Sequence, residues 1–196
     1  MSNDSHGPQL ETRLSAIDGT AGMLTIAGMD VAEAAEQPLS ELAAALWTLA
    51  SSPTAASWHA EGVERAWGEA RQQAFALLAR QPGVLELEAM DALRAAVARL
   101  PASGDLSADV VAVSGAVAIY AAAWMRRERG AAPVPPDPSL SHTHDFLRML
   151  SGDEPGERRV AGMSRYLACV CEHGMNASTF AARTVASTES DVVSAV

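Results

Sequence analysis

His173 precedes a helix breaker, Gly174, and then a run, Asn176-Ala177-Ser178-Thr179, whose side chains can accept hydrogen bonds from the orphan N–H groups of a helix start. Phe180, Arg183, Thr184 and Ser187 follow at helical spacing. An imidazole just ahead of the positive end of a helix is favoured in its neutral form. A neutral ring N–H can donate to a carbonyl oxygen and polarise it. The same spacing also suits a histidine that closes the preceding helix as a polar cap. His142-Thr143-His144 is, by itself, a weak metal signature. Cys169 and Cys171 would point about 200° apart on a helix. With no further Cys or His at ligand spacing, they read as two small buried apolar residues in a reducing cytoplasm, and no metal site is expected. His59 has no acidic or nucleophilic partner in view and is taken as solvated.

Hydrophobic periodicity indicates the elements that must position these residues. Asp18-Gly19 and Gly28 are turn signals around the β-prone Met23-Leu24-Thr25-Ile26, which predicts a small β-ribbon near the start. Helices follow at 31–37 and 40–50, the second capped by Ser40 with Leu39, Leu42, Leu46 and Leu49 as its stripe. A helix at 57–80 turns Val63, Trp67, Ala70 and Ala74 inward, and one at 88–100 does the same with Met90, Leu93 and Val97. Residues 108–129 form a further helix. Its uncharged run, 110–125, is 16 residues long, short of the roughly 20 that cross a bilayer, so no membrane span is expected. A helix apolar all round belongs in a core or a subunit interface, here with Arg126-Arg127-Glu128-Arg129 as its solvated end. Four prolines within 131–139 mark a connection between packed units. Thr143 is expected to cap a short helix ending at Gly152. A helix over 156–171, with Val160, Met163, Tyr166, Leu167 and Val170 inward, then delivers the chain to His173. The class is all-α, since there is no βαβ alternation. The divisions are a disordered tail over 1–14, a helical body over 15–130, the connection over 131–139 and a helical segment over 140–196.

Composition narrows the function. Hydrophobic residues make up 48% and aromatics 5%, an ordinary balance for a globular protein. The net charge of −10 excludes a sequence-independent nucleic-acid binder, which needs clustered positive charge. All 14 basic residues are arginine, read as compositional bias. The polar N-terminus lacks the apolar core of a signal peptide, which places the chain in the cytoplasm.

The run EHGMNASTFAARTVAST over 172–188, continued through Val196, resembles the active-site segment of the citrate synthase and 2-methylcitrate synthase family. It departs at Cys171-Glu172, where relatives often carry Ala-Asp or Ala-Glu, and at Thr184, where Val is usual. MDALRAAVARL over 90–100 is similar to the family's MDVLRTAVSAL helix. Ile26-Ala27-Gly28-Met29-Asp30 stands where Tyr-Arg-Gly-Tyr-Asp is usual. The stretch 141–152 resembles the family's SHNF..ML.G segment.

The resemblance implies a citrate-synthase-like multi-helical fold, truncated, with a small β-ribbon near the N-terminus. It implies an acyltransferase that condenses acetyl-CoA or propionyl-CoA with oxaloacetate, giving citrate or 2-methylcitrate and CoA, at the start of the tricarboxylic acid cycle. In it, His173 hydrogen-bonds the thioester carbonyl during enolisation and His144 hydrogen-bonds oxaloacetate, while Arg148 has no assigned role. Acetyl-CoA is then a substrate, and no bound cofactor is expected. Family members continue with a Gly-Pro-Leu-His-Gly-Gly segment, a catalytic aspartate and carboxylate-binding arginines, and no Gly-Pro-x-His occurs here. The chain therefore reads as a first half, incomplete alone, that works as a homodimer or with a complementing C-terminal subunit. The alternative is a non-catalytic all-α interaction protein derived from that family. The choice between acetyl-CoA and propionyl-CoA stays open.

Overall fold

A computed structural model describes residues 12–81 and 83–196, and most of the tail expected over 1–14 lies outside them. Among these residues the fold is all-α, with nine helices and one small sheet. Strands β1 (Ser15–Asp18), β2 (Met23–Ile26) and β3 (Met29–Asp30) form an antiparallel meander, with Ser15 opposite Ile26 and Asp18 opposite Met23. Asp18 Oδ1 accepts the N–H groups of Thr20 and Ala21 and closes the first turn. Asp30 then caps α1 (Val31–Glu36) by accepting the Ala32 N–H at 2.9 Å.

Helix α2 (Leu39–Ala50) is preceded by Pro38 at the cap position, and Ser40, expected as the cap, is instead buried in the first turn. Helix α3 (Ala60–Leu78) starts later than its periodicity suggests. Thr48 Oγ1 takes the Trp58 N–H, and His59 is extended at φ −130°, so the chain before Ala60 is a loop. His59 is exposed, as expected. A 3-10 turn, Val84–Glu86, leads to α4 (Ala89–Val97). Only Ala92, Ala96 and Val97 of α4 are buried; Met90, expected in the core, is 57% exposed because the first turn faces away from the body.

Helix α5 (Leu106–Glu128) is the centre of the fold. It packs against α3, α4 and α6 (His142–Ser151). Ala116, Ile119, Tyr120 and Ala123 meet Leu78, Val97 and Met149 in one core. This burial accounts for a helix long and apolar enough to cross a membrane. Gly115 permits the closest approach, since a Cβ there would stand 2.6 Å from Ala70 Cβ. Its C-terminal Arg126 is more than a solvated end: Nε donates to the Ala132 carbonyl at 2.6 Å, and the guanidinium lies over Gly152.

Residues 131–137 carry no regular structure, as the prolines predict. Ser141, not Thr143, caps α6; Thr143 is buried within it, and Gly152 ends it with a left-handed φ of +86°. Helix α7 (Glu157–Val170) lies on α1 and α2. That contact is a narrow stripe in which only Ala168 is fully buried, so Tyr166 and Val170 are exposed rather than inward. Cys169 and Cys171 are likewise exposed, not buried. Helix α8 (Ala177–Ala186) has no buried residue, while α9 (Val192–Ala195) returns to pack on α5.

Candidate active site

His173 lies in the loop between α7 and α8. Glu172 fixes that loop, its Oε1 accepting from Ser15 Oγ and from the Gly174 N–H, each at 2.8 Å. Gly174 adopts a left-handed φ of +80° and packs toward Ile17, so the loop rests on β1. Asn176 caps α8, with Oδ1 accepting the Thr179 N–H at 2.7 Å. The cap leaves the amide Nδ2 to face His173 Nε2 at 3.4 Å. An amide nitrogen only donates, so Nε2 is the acceptor and the neutral ring carries its proton on Nδ1. No acceptor for Nδ1 occurs among the described residues, and His173 is exposed. The structure thus places His173 in an exposed loop immediately ahead of the capped start of α8.

His144 sits in the first turn of α6. Its Nε2 meets Glu154 Oε1 at 2.5 Å. A carboxylate accepts, so the Nε2–H is engaged with Glu154, and a ligand oxygen must displace that carboxylate to use it. His144 and His173 therefore engage different partners, and none of five cavities described among these residues is lined by either ring.

A buried polar network lies beside the segment that carries His142 and His144. Arg71 and Asp145 both have side-chain exposures of 0% and pair at 2.8 Å. Arg71 Nη2 also donates to the carbonyls of Asp137 and Leu140, and Nη1 donates to His142 Nδ1 at 3.2 Å. Asp145 in turn accepts from Arg148 and from the Asp137 N–H. Burial lowers the Arg71 guanidinium from its ordinary value, opposed chiefly by Asp145. Every member is hydrogen-bonded, as a buried ionic group requires. The network clamps the proline-rich connection to α3 and to the first turn of α6. Only the Arg71 half of it is visible in the sequence: Arg71 is four residues after Trp67 and three before Ala74, on the buried stripe of α3.

His142 is consequently a neutral donor. The Arg71 contact makes Nδ1 an acceptor, so Nε2 carries the proton. Burial, and secondarily the Arg71 charge, push the ring down to about 3. Part of the residue stays accessible, but its Nδ1 faces a guanidinium with no exposure. The ring packs on Trp67, with centroids 4.5 Å apart and planes tilted by 38°, and His142 lines a cavity of about 290 Å³ with Leu42, Trp47, Leu167 and Cys171. His142 and Cys171 are each two residues from one of the sequence-predicted histidines, so this cavity lies between the segments that carry them. Within H-x-H, one ring engages Arg71 and the other Glu154, and no cluster of three or more His, Cys, Asp or Glu suited to a metal occurs among the described residues.

Residues 6–196 match the family described as citrate synthase, C-terminal domain. The chain belongs to the citrate synthase family. It is 35% identical to the citrate synthase of Haloferax volcanii over 95% of its own length and 52% of that protein. It is 36% identical to the 2-methylcitrate synthase of Mycobacterium tuberculosis over 68% of its length and 35% of that protein. The solved citrate synthase of Thermotoga maritima superposes with a TM-score of 0.80 at 26% identity, covering 100% of this chain and 53% of that one. The chain thus spans about half the length of the synthases it matches.

Proposed function

We propose that this chain supplies part of the catalytic surface for a citrate-synthase-type condensation of an acyl-CoA with oxaloacetate. The observation that carries the reading is the exposed His173 at the start of α8, its Nε2 met by the Asn176 amide so that Nδ1 is left for the N–H. A base removes a proton α to the thioester, and the developing enolate oxygen needs a donor that is already in place. His173 Nδ1–H is that donor. The enol carbon then attacks the ketone of oxaloacetate, and hydrolysis of the thioester releases CoA. Each step is redox-neutral, and the acyl-CoA is consumed as substrate.

Ketone polarisation falls to α6. His144 serves if its Nε2–H leaves Glu154, and His142 offers a second N–H from Nε2, locked in that tautomer by Arg71. The aspartate base and the arginines that would hold the dicarboxylate belong, in this reading, to a complementing C-terminal portion, separate or continuous. That portion docks on the exposed faces of α7 and α8, where Tyr166 and Phe180 are 61% and 59% exposed. Two free cysteines fit a reducing cytoplasm.

The test mixes the purified chain with a C-terminal half of the Thermotoga maritima synthase and follows CoA release from acetyl-CoA and oxaloacetate, with propionyl-CoA in parallel. Turnover is expected only from the mixture. His173→Ala should lower it by about 10²–10³, the usual effect of removing one oxyanion donor. A complex that forms but releases no CoA, or a His173→Ala mixture as active as the parent, overturns the assignment.

A further inference from the structure

On the side of the fold formed by the ends of α3 and α5 lies a cavity of about 380 Å³ that the condensation reading does not use. That volume falls in the range of small-molecule sites. Phe75, Leu85 and Pro133 give it apolar walls, and three polar side chains line it: Gln81, Glu86 and Arg127. Gln81 is only 7% exposed, yet its Oε1 has no hydrogen-bond partner, and neither has the buried Tyr120 hydroxyl. Burial raises the Tyr120 hydroxyl above its ordinary range, and the neighbouring Gln81 amide works against it. Gln81 is thus a nearly buried polar side chain with an orphaned atom in the wall of the cavity. Arg127 is engaged with its chain neighbour Glu128 at 2.9 Å, a contact exposed on both sides and weak for that reason. Glu86 makes no ion pair among the described residues.

We propose that this cavity binds a free apolar α-amino acid. Its α-carboxylate meets Arg127, its α-ammonium meets Glu86, and its side chain lies on Phe75, Leu85 and Pro133. The Gln81 amide adds a nitrogen for the carboxylate or, in the flipped orientation, an oxygen for the ammonium. A simple carboxylate would leave Glu86 opposed to it, and a simple amine would leave Arg127 unmet. Only the zwitterion satisfies both charges in one small, mostly apolar space. The inference does not depend on the condensation reading, and its readout is binding alone.

L-Phenylalanine is the probe, followed by saturation-transfer NMR on the full chain, with 3-phenylpropanoate and 2-phenylethylamine as single-charge analogues. L-Phenylalanine is expected to saturate in the millimolar range, as suits so small a ligand. Each analogue should bind at least about tenfold more weakly, the loss of one charge-assisted contact. Arg127→Gln and Glu86→Gln change exposed side chains, leave the melting curve unchanged and should weaken binding about fivefold or more. Ala79→Trp, on the cavity wall, should abolish it. Analogues that bind within about twofold of L-phenylalanine overturn the zwitterion assignment. Binding that survives Ala79→Trp places the ligand elsewhere, and no saturation at all removes the site.

Discussion

Asn176 uses the two ends of one side-chain amide for different tasks. Its oxygen caps α8, which obliges its nitrogen to face His173, and that contact selects the Nδ1–H tautomer of the ring. Asn176→Ala should free Nε2 and shift the neutral ring toward the Nε2–H form, read directly from the ¹⁵N shifts of the labelled imidazole. Loss of the cap should cost about 1 kcal/mol in the same variant. His142 gives the second prediction at this scale. In the unfolded chain the ring takes a proton near pH 6.5, whereas in the folded chain it resists protonation down to about 3. Between those values the unfolded state binds more protons, so stability is complete above about 6.5 and falls as the pH drops below it, by at most about 1.4 kcal/mol per unit. Urea titrations at about pH 7 and about pH 5 should show that slope in the parent and lose it in His142→Asn.

Among the elements, the pairing of α3 with α5 decides where everything else sits. It rests on Gly115, and Gly68 gives the proline-rich connection an equally close approach to α3. A Cβ at Gly115 would stand 2.6 Å from Ala70 Cβ and 3.2 Å from the Arg71 backbone N, while one at Gly68 would stand 2.7 Å from the Pro138 carbonyl oxygen. Gly115→Val must push the helices apart, since the obstruction includes backbone, and should cost at least about 1–3 kcal/mol. The displacement would also move Arg71 away from Asp145 and His142. The measurable outcome is a lower thermal midpoint together with loss of the upfield ring shifts expected from the His142–Trp67 packing.

At the scale of the whole molecule, one group of apolar side chains is left uncovered on neighbouring elements. Tyr166, Val170, Met175 and Phe180 are exposed on α7, α8 and the loop between them, and Ile17 is exposed on the strand beneath. A patch of this kind marks an interface or an aggregation hazard. The net charge of −10 opposes close association only weakly once salt screens it. The chain alone should therefore show a mass in sedimentation that rises with concentration and bind an apolar dye. Phe180→Ser with Tyr166→Ser should reduce both without lowering the melting temperature, because neither side chain supports the core.

The sequence by itself determined the all-α class, the sheet near the start, the buried role of the long apolar helix and the capped helix start beside His173. Each of these follows from local periodicity or from hydrogen bonds between near neighbours in the chain. It also led to the family, because the irregular run around His173 is long. Only the tertiary structure decided which faces are covered. Met90, Tyr166, Val170 and both cysteines carry the residue types of a core, but burial depends on what another element brings against them, and among the described residues none covers them. The Arg71–Asp145 pair, whose partners are 74 positions apart, was likewise beyond reach of spacing rules. A buried arginine is stable only where distant segments supply a carboxylate, two carbonyls and an imidazole together, and that convergence is a property of the fold.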